Sequence, residues 1–202
     1  MVHEHHSPEQ STHAGHRNVN AMAVSATLHC LTGCAVGEIA GLVIGTSIGL
    51  ANGWTIALSI ALAFFFGYTL STLPLLRAGL AVGTALSVVL AADTLSILTM
   101  EVVDNAVMAA IPGAMNAGLV NVVFWVGMTI SFVVAFAAAW PVNRHLLQRG
   151  KGHALTHEFH GAAPTAGVRR LIPDLRTSTL VAVLIAFMLG GLVVSIAAEL
   201  GA

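Results

Sequence analysis

A nearly unbroken apolar stretch between residues 21 and 50 most constrains what this chain can fold into. A helix crosses the roughly 30 Å of bilayer hydrocarbon with about 20 apolar residues, because each residue adds about 1.5 Å. The stretch exceeds that length, and it also exceeds the apolar core of about 7 to 15 residues that a cleaved signal peptide has. It is therefore predicted to be a transmembrane helix that the mature protein retains.

Four polar side chains inside this stretch form the first candidate site. Residues four apart lie on one face of a helix, so Cys30, Cys34 and Glu38 form one stripe, with His29 beside it. An ionisable group at membrane depth costs at least about 2.5 to 3.5 kcal/mol on insertion scales, so Glu38 is expected to face protein or water. Nitrogen, thiol and carboxylate ligands suit a transition metal such as copper or zinc. The alternative for the cysteines is plain packing, since a buried thiol behaves as a small apolar group.

A second stripe on the same stretch consists of glycines at strict four-residue spacing. Small residues at this spacing let another helix approach closely in the membrane, where packing drives association. The stripe is therefore predicted to be a helix-packing surface made of Gly33, Gly37, Gly41, Gly45 and Gly49.

Two segments of the chain resemble a known family. The segment LHCLTGCAVGEIAGLVIG and the later segment WPVNRHLLQRGKGH are similar to bacterial multi-pass membrane proteins grouped as domain of unknown function 4396. The resemblance runs from about His29 to His160 and is most specific in the pattern HCxxGCxxGE. It implies an integral membrane protein and supplies no mechanism.

The rest of the chain carries four more apolar runs, near residues 54–73, 75–99, 117–140 and 178–200. Only 8% of the residues are charged, against about 25% in soluble domains. The predicted fold is all-α, a polytopic membrane protein with about five transmembrane helices. Residues 1–20 are expected to be a disordered His-rich tail, 21–141 a four-helix membrane region, 142–177 a basic loop and 178–202 the fifth helix.

The eight Lys and Arg residues set the predicted orientation. With five spans, all of them fall on one side of the membrane, and cytoplasmic segments are the ones enriched in Lys and Arg. The amino terminus, the tail and the basic loop are therefore predicted to be cytoplasmic, and the protein to lie in the bacterial cytoplasmic (inner) membrane.

The third predicted span carries acidic and methionine residues on one helical face. If the helix continues to Pro112, four residues project within an arc of about 100° of Asp93, namely Met100, Glu101, Asp104 and Met108. We interpret this face as a cation pathway, in which Glu101 and Asp104 at the outer surface concentrate cations and lead them to a Glu38 and Asp93 pair within the membrane. The alternative is that Glu101 and Asp104 belong to a solvated loop.

Ten histidines are many for so apolar a chain. Five of them lie in the amino-terminal tail, where clustered imidazoles capture divalent metals. In the loop after the fourth span, His153, His157 and His160 share one face if the loop is helical, which predicts an open metal site. The alternative is an interfacial segment that faces lipid headgroups.

These observations together favour a membrane protein that handles a transition metal, copper or zinc, as a transporter or as a metal acceptor. Five spans make a thin bundle, so a homo-oligomer in the lipid bilayer is expected, and no nucleic-acid motif occurs. Two alternatives stay open. One is a membrane metalloenzyme of the histidine-box type, although only one such box is present. The other is a structural subunit in which the glycine stripe dimerises.

Overall fold

The structure is a computed structural model that describes residues 8–149, Leu171 and residues 176–201, with side chains from Val19 onward except that of Ala92. No strand occurs in these ranges. The helices in chain order are α1 (Pro8–Ser47), α2 (Asn52–Arg77), α3 (Val82–Ala110), α4 (Val122–Gln148) and α5 (Thr177–Gly201), with a 3₁₀ turn at Ala114–Asn116 between α3 and α4.

Four of these helices are long and apolar enough to cross a bilayer, and α3 makes a fifth when its two halves are counted as one span. The prediction of an all-α polytopic membrane protein is therefore confirmed. Of the apolar window of α1, 61% is buried, against 17% for α5, so α1 is the central helix and α5 lies at the periphery.

The helices alternate in direction between two ends of the bundle. At one end, Arg144 Nε donates to Asn20 Oδ1 at 2.8 Å, and α2 ends at Arg77. At the other end, Glu199 Oε1 accepts from the backbone N–H of Val122 at 3.1 Å, close to the 3₁₀ turn. We refer to these ends as the basic end and the 3₁₀ end.

Four of the five glycines in the α1 stripe pack directly against α2. A Cβ atom added at any of them would overlap an atom of α2, so the two helices approach to a distance that only glycine permits on the α1 side. The register is regular and antiparallel: moving four residues forward along α1 moves the contact four residues backward along α2. The facing pairs are Gly33 with Gly67, Gly37 with Ala63, Gly41 with Ser59, and Gly45 with Thr55.

Gly49 differs from the packing role predicted for it. No atom lies within 4 Å of a Cβ built there, and its φ of 71° lies in the left-handed region that L side chains rarely adopt. The N–H of Leu50 donates to the carbonyl of Gly45 at 2.8 Å, which closes the last turn of α1. Gly49 therefore ends the helix and turns the chain into α2.

The boundaries around the third span differ from the prediction. Pro74 was expected to end the second span, but α2 continues one turn further to Arg77, because the carbonyl of Pro74 still accepts from the N–H of Ala78 at 3.0 Å. The third helix begins at Val82 and continues to Ala110. Ile111, the residue before Pro112, takes the extended conformation that a following proline favours.

The two halves of α3, Val82–Ala91 and Asp93–Ala110, meet at an angle of 52°. The helix contains no proline. Instead, the hydroxyl of Thr94 bonds back to the carbonyl of Leu90 and also contacts Tyr68 Oη at 2.9 Å. A Thr hydroxyl that bonds to the carbonyl four residues earlier tends to bend a helix, which accounts for the position of the bend.

Both polar segments also differ from the prediction. The backbone is helical from Pro8, although residues 1–20 were expected to be disordered, and a proline at the first helical position followed by an acidic residue is a favourable helix start. After the fourth span, α4 passes Pro141 and continues to Gln148. The predicted loop trio, His153, His157 and His160, lies outside the described residues.

Candidate cation site

Three side chains of α1 each face a different acidic residue of α3, because the two helices run in the same direction. The pairs from the basic end toward the 3₁₀ end are Cys30 with Asp93, Cys34 with Glu101, and Glu38 with Asp104. Along α1 the pairs are four residues apart, about 6 Å, whereas along α3 the first two acidic residues are about two turns apart and the last two about one turn apart.

The pair nearest the 3₁₀ end joins two carboxyl groups. The Glu38 and Asp104 carboxyls interact electrostatically, and Ser131 Oγ of α4 donates to Asp104 Oδ1. Asp104 is 6% exposed and Ser131 is fully buried. Two ionised carboxylates that share a site repel each other, so positive charge near the pair is favourable.

Glu101 is the most deeply buried carboxyl group of this end, at 3% exposure. Within the part of the chain that the structure describes, neither of its oxygens has a partner with full hydrogen-bond geometry, and the Cys34 thiol lies at close range. One buried oxygen of Glu38, Oε1, likewise has no hydrogen-bond partner among the described residues. A buried carboxylate without such partners is costly, so these oxygens are suited to a ligand that brings positive charge.

These carboxyl groups line one cavity of about 90 Å³ near the 3₁₀ end, which we call the carboxylate cavity. Its walls come from α1, α2, α3, α4 and the 3₁₀ turn. Besides the carboxyl groups, three thioether side chains line it. The carboxyl and thioether side chains of the wall belong to Glu38, Glu101, Asp104, Met108, Met115 and Met128.

The placement of Glu101 and Asp104 differs from the prediction that they lie at the outer surface. They are buried because α3 begins at Val82 instead of residue 75, so both side chains lie less far along the bundle than predicted. The same shift changes the partner of Glu38, which faces Asp104 instead of Asp93.

The remaining members of the predicted site lie elsewhere in the bundle. His29 is buried and its Nδ1 donates to the carbonyl of Ser25 at 2.8 Å, while Met100 belongs to the apolar core. Neither lines the carboxylate cavity, and neither do Cys30, Cys34 and Asp93. The structure thus distributes the predicted set along the length of α1 instead of gathering it, because the acidic residues of α3 are themselves spread over eleven residues of that helix.

A second polar cluster, which the sequence did not reveal, joins three helices toward the basic end. Asn143 Nδ2 of α4 donates to Thr27 Oγ1 of α1 and to Ser96 Oγ of α3, both at 2.9 Å. Ser96 in turn lies within hydrogen-bonding range of the buried Cys30 thiol. Asn143 stands in the WPVNRH segment, and an amide inside an apolar helix was the available signal for this cluster.

Among the described residues, no group of three His, Cys, Asp or Glu side chains converges closely enough to hold a metal ion. Of the three carboxyl groups in the carboxylate cavity, at most two are close enough to bind one cation in the observed side-chain conformations. The further ligands of such a cation would be thioether sulfurs or water.

The geometry of the site is that of a membrane bundle with an acidic, sulfur-lined cavity, and the first helix carries the groups that the family resemblance singled out. No curated protein and no solved structure matches the chain. A family model described as "Domain of unknown function (DUF4396)" matches residues 19–152, which cover α1 to α4. The chain therefore belongs to that family.

Proposed function

We propose that the protein handles a transition-metal cation, copper or zinc, in the bacterial inner membrane, and that the cation binds in the carboxylate cavity. The observation that carries this proposal is that Glu38, Glu101 and Asp104 all line one cavity among membrane-spanning helices. Each ionised carboxylate at such depth costs at least about 2.5 to 3.5 kcal/mol, and a bound cation offsets that cost.

The position of the cavity supports a role in transport or in metal acceptance. The described arginines at or beyond the helix ends lie toward the basic end, so an orientation with that end in the cytoplasm agrees with the enrichment of Lys and Arg in cytoplasmic segments. They are Arg77, Arg144, Arg149 and Arg176. The carboxylate cavity then lies in the outer half of the membrane, where it receives a cation from the external side.

A homo-oligomer is part of the proposal. Only 22% of the apolar window of α2 and 17% of that of α5 is buried within one chain. These two helices leave apolar faces that contact either lipid or a second copy of the protein.

The test is metal binding by tag-free protein purified in detergent. We expect a bound transition metal in elemental analysis, and in equilibrium titrations with Cu(I) and Zn(II) the variants Glu101→Gln and Asp104→Asn lose about tenfold or more in affinity, a loss typical even of groups that only support a metal ligand. Glu199→Gln is the matched control, because Glu199 lies at the same end outside the cavity and a Gln side chain still accepts from Val122.

Absence of metal from the wild-type protein, together with titrations that do not distinguish it from the carboxyl variants, would refute the proposal. That result favours the structural subunit, in which the buried polar groups only fix the contacts between helices.

A further inference from the structure

Three methionines from three different elements line the carboxylate cavity. Met108 belongs to α3, Met115 to the 3₁₀ turn and Met128 to α4. Met108 and Met128 are 7% and 2% exposed, so they are held in the protein interior. Methionine is a common filler of irregular cores, but here all three side chains border the same space as the buried carboxyl groups of Glu101 and Asp104 and the half-buried carboxyl group of Glu38.

The combination of ligands distinguishes among cations. Thioether sulfur is a soft, neutral ligand that suits Cu(I), whereas Zn(II) in proteins is bound by thiolate, imidazole and carboxylate. Magnesium and calcium take oxygen ligands almost exclusively, which the thioether part of the wall does not offer. Sulfur ligands beside a carboxylate pair therefore match a soft cation better than a hard one.

At most two carboxyl groups of the cavity can bind one cation, and so few anionic ligands suit a cation of low charge and low coordination number. No three acidic, Cys or His side chains converge among the described residues, so a tetrahedral zinc site made of such groups is absent there. A monovalent ion needs fewer anionic ligands than Zn(II), and one carboxylate pair with neutral thioethers supplies enough.

We infer that the carboxylate cavity is selective for a soft monovalent cation, Cu(I), with Met108, Met115 and Met128 as the selective ligands and the carboxyl groups as the source of negative charge. This inference rests on the proposed function and narrows it, because it names the oxidation state and the class of the metal.

The experiment compares Ag(I), a redox-inert soft monovalent probe, with Zn(II) on the full-length protein in detergent. The triple variant Met108→Leu, Met115→Leu, Met128→Leu is expected to lose about tenfold or more in Ag(I) affinity, since removal of a direct ligand costs at least as much as removal of a supporting group. Its Zn(II) affinity is expected to stay close to that of the wild type, because zinc is bound in proteins by thiolate, imidazole and carboxylate and the triple variant keeps all the carboxyl groups.

Met188→Leu is the matched control. Met188 lies in α5 beside an apolar groove that the carboxylate cavity does not share, so this change is expected to leave both affinities as they are. Leu is close to Met in volume, and size-exclusion profiles of all variants verify that the fold is retained.

Two results separate this inference from the proposed function. If Zn(II) binds as tightly as Ag(I) and the triple variant binds Ag(I) like the wild type, the selectivity is refuted while cation binding stands. If neither ion binds the wild-type protein, the proposed function fails and the inference with it.

Discussion

The close contact between α1 and α2 predicts how much an added methyl group destabilises the protein at different glycines of the stripe. At Gly37, the nearest atoms to an added Cβ are all backbone atoms of Leu62 and Ala63, which cannot rotate away. At Gly45, they are side-chain atoms of Thr55, the first at 2.6 Å, and a side chain has more freedom to adjust. Gly37→Ala is therefore expected to destabilise the protein more than Gly45→Ala.

The magnitude follows from how far the helices must separate. At the neighbouring position, Gly33, an added Cβ lies 2.6 Å from the backbone nitrogen of Gly67 and closer still to its Cα atom. Ordinary contact begins at 3.4 Å, so the backbones move apart by at least about 0.8 Å. A gap of about 0.5 to 1 Å loses a quarter to a half of the dispersion attraction at the contact. Overpacking of this kind costs about 1 to 3 kcal/mol.

The control must remove the gain in helix propensity, because Ala is favoured over Gly by up to about 1 kcal/mol in a helix. Gly190 lies within α5, and no atom stands within 4 Å of a Cβ built there. Gly190→Ala therefore has the propensity gain without the overlap, and the difference between Gly37→Ala and Gly190→Ala isolates the packing cost.

The assay is thermal or denaturant unfolding of the purified protein in detergent, followed by helical circular dichroism. We expect Gly37→Ala to unfold at a lower temperature than both the wild type and Gly190→Ala. Equal stability of the two variants would refute the reasoning, because it would mean that α1 and α2 do not approach as closely as the register of the glycine stripe requires.

Two further predictions concern the basic end and the orientation. Asn143→Leu leaves the hydroxyls of Thr27 and Ser96 without their shared donor, and we expect a loss of about 1 to 3 kcal/mol in the same unfolding assay, whereas an unchanged midpoint would show that this cluster does not stabilise the bundle. Single cysteines introduced at Gln148 and Val120, in a background without native thiols, are expected to react with membrane-impermeant reagents from the cytoplasmic and the external side respectively, and reversed accessibility would contradict the orientation.

Much of the fold was predictable because a bilayer restricts the choice of structure. An apolar run of about 20 residues becomes a helix, since every backbone polar group must be satisfied within the segment. The glycine stripe indicated a close helix contact for a similar reason. The sequence could not show that its partner is α2 of the same chain, because small residues at four-residue spacing accept any helix of matching shape.

The errors at proline have a common physical cause. The second and fourth spans were predicted to end at about residues 73 and 140, just before Pro74 and Pro141, yet α2 and α4 continue past both prolines. A proline removes one hydrogen bond at its own nitrogen and leaves its carbonyl free to accept from the next turn, and neighbouring helices compensate the loss in a membrane bundle. Pro112 does end α3, because the residue before it is extended and a left-handed glycine follows.

The candidate site depended most on a feature that the sequence does not contain, the axial register of α1 against α3. Their helical faces were readable from the spacing, and the residues of those stripes, Glu38 and Asp104, do line one cavity. Register depends on the length of the second helix and its turns, and ending α2 at Pro74 instead of Arg77 moved the start of α3 by seven residues, from Leu75 to Val82. Seven residues are about two helical turns, or about 10 Å along the bundle. Asp93 and Asp104 are eleven residues apart, so this displacement accounts for most of the exchange of Asp93 for Asp104 as the partner of Glu38. The exchange moved the cavity toward the 3₁₀ end, where the methionines are.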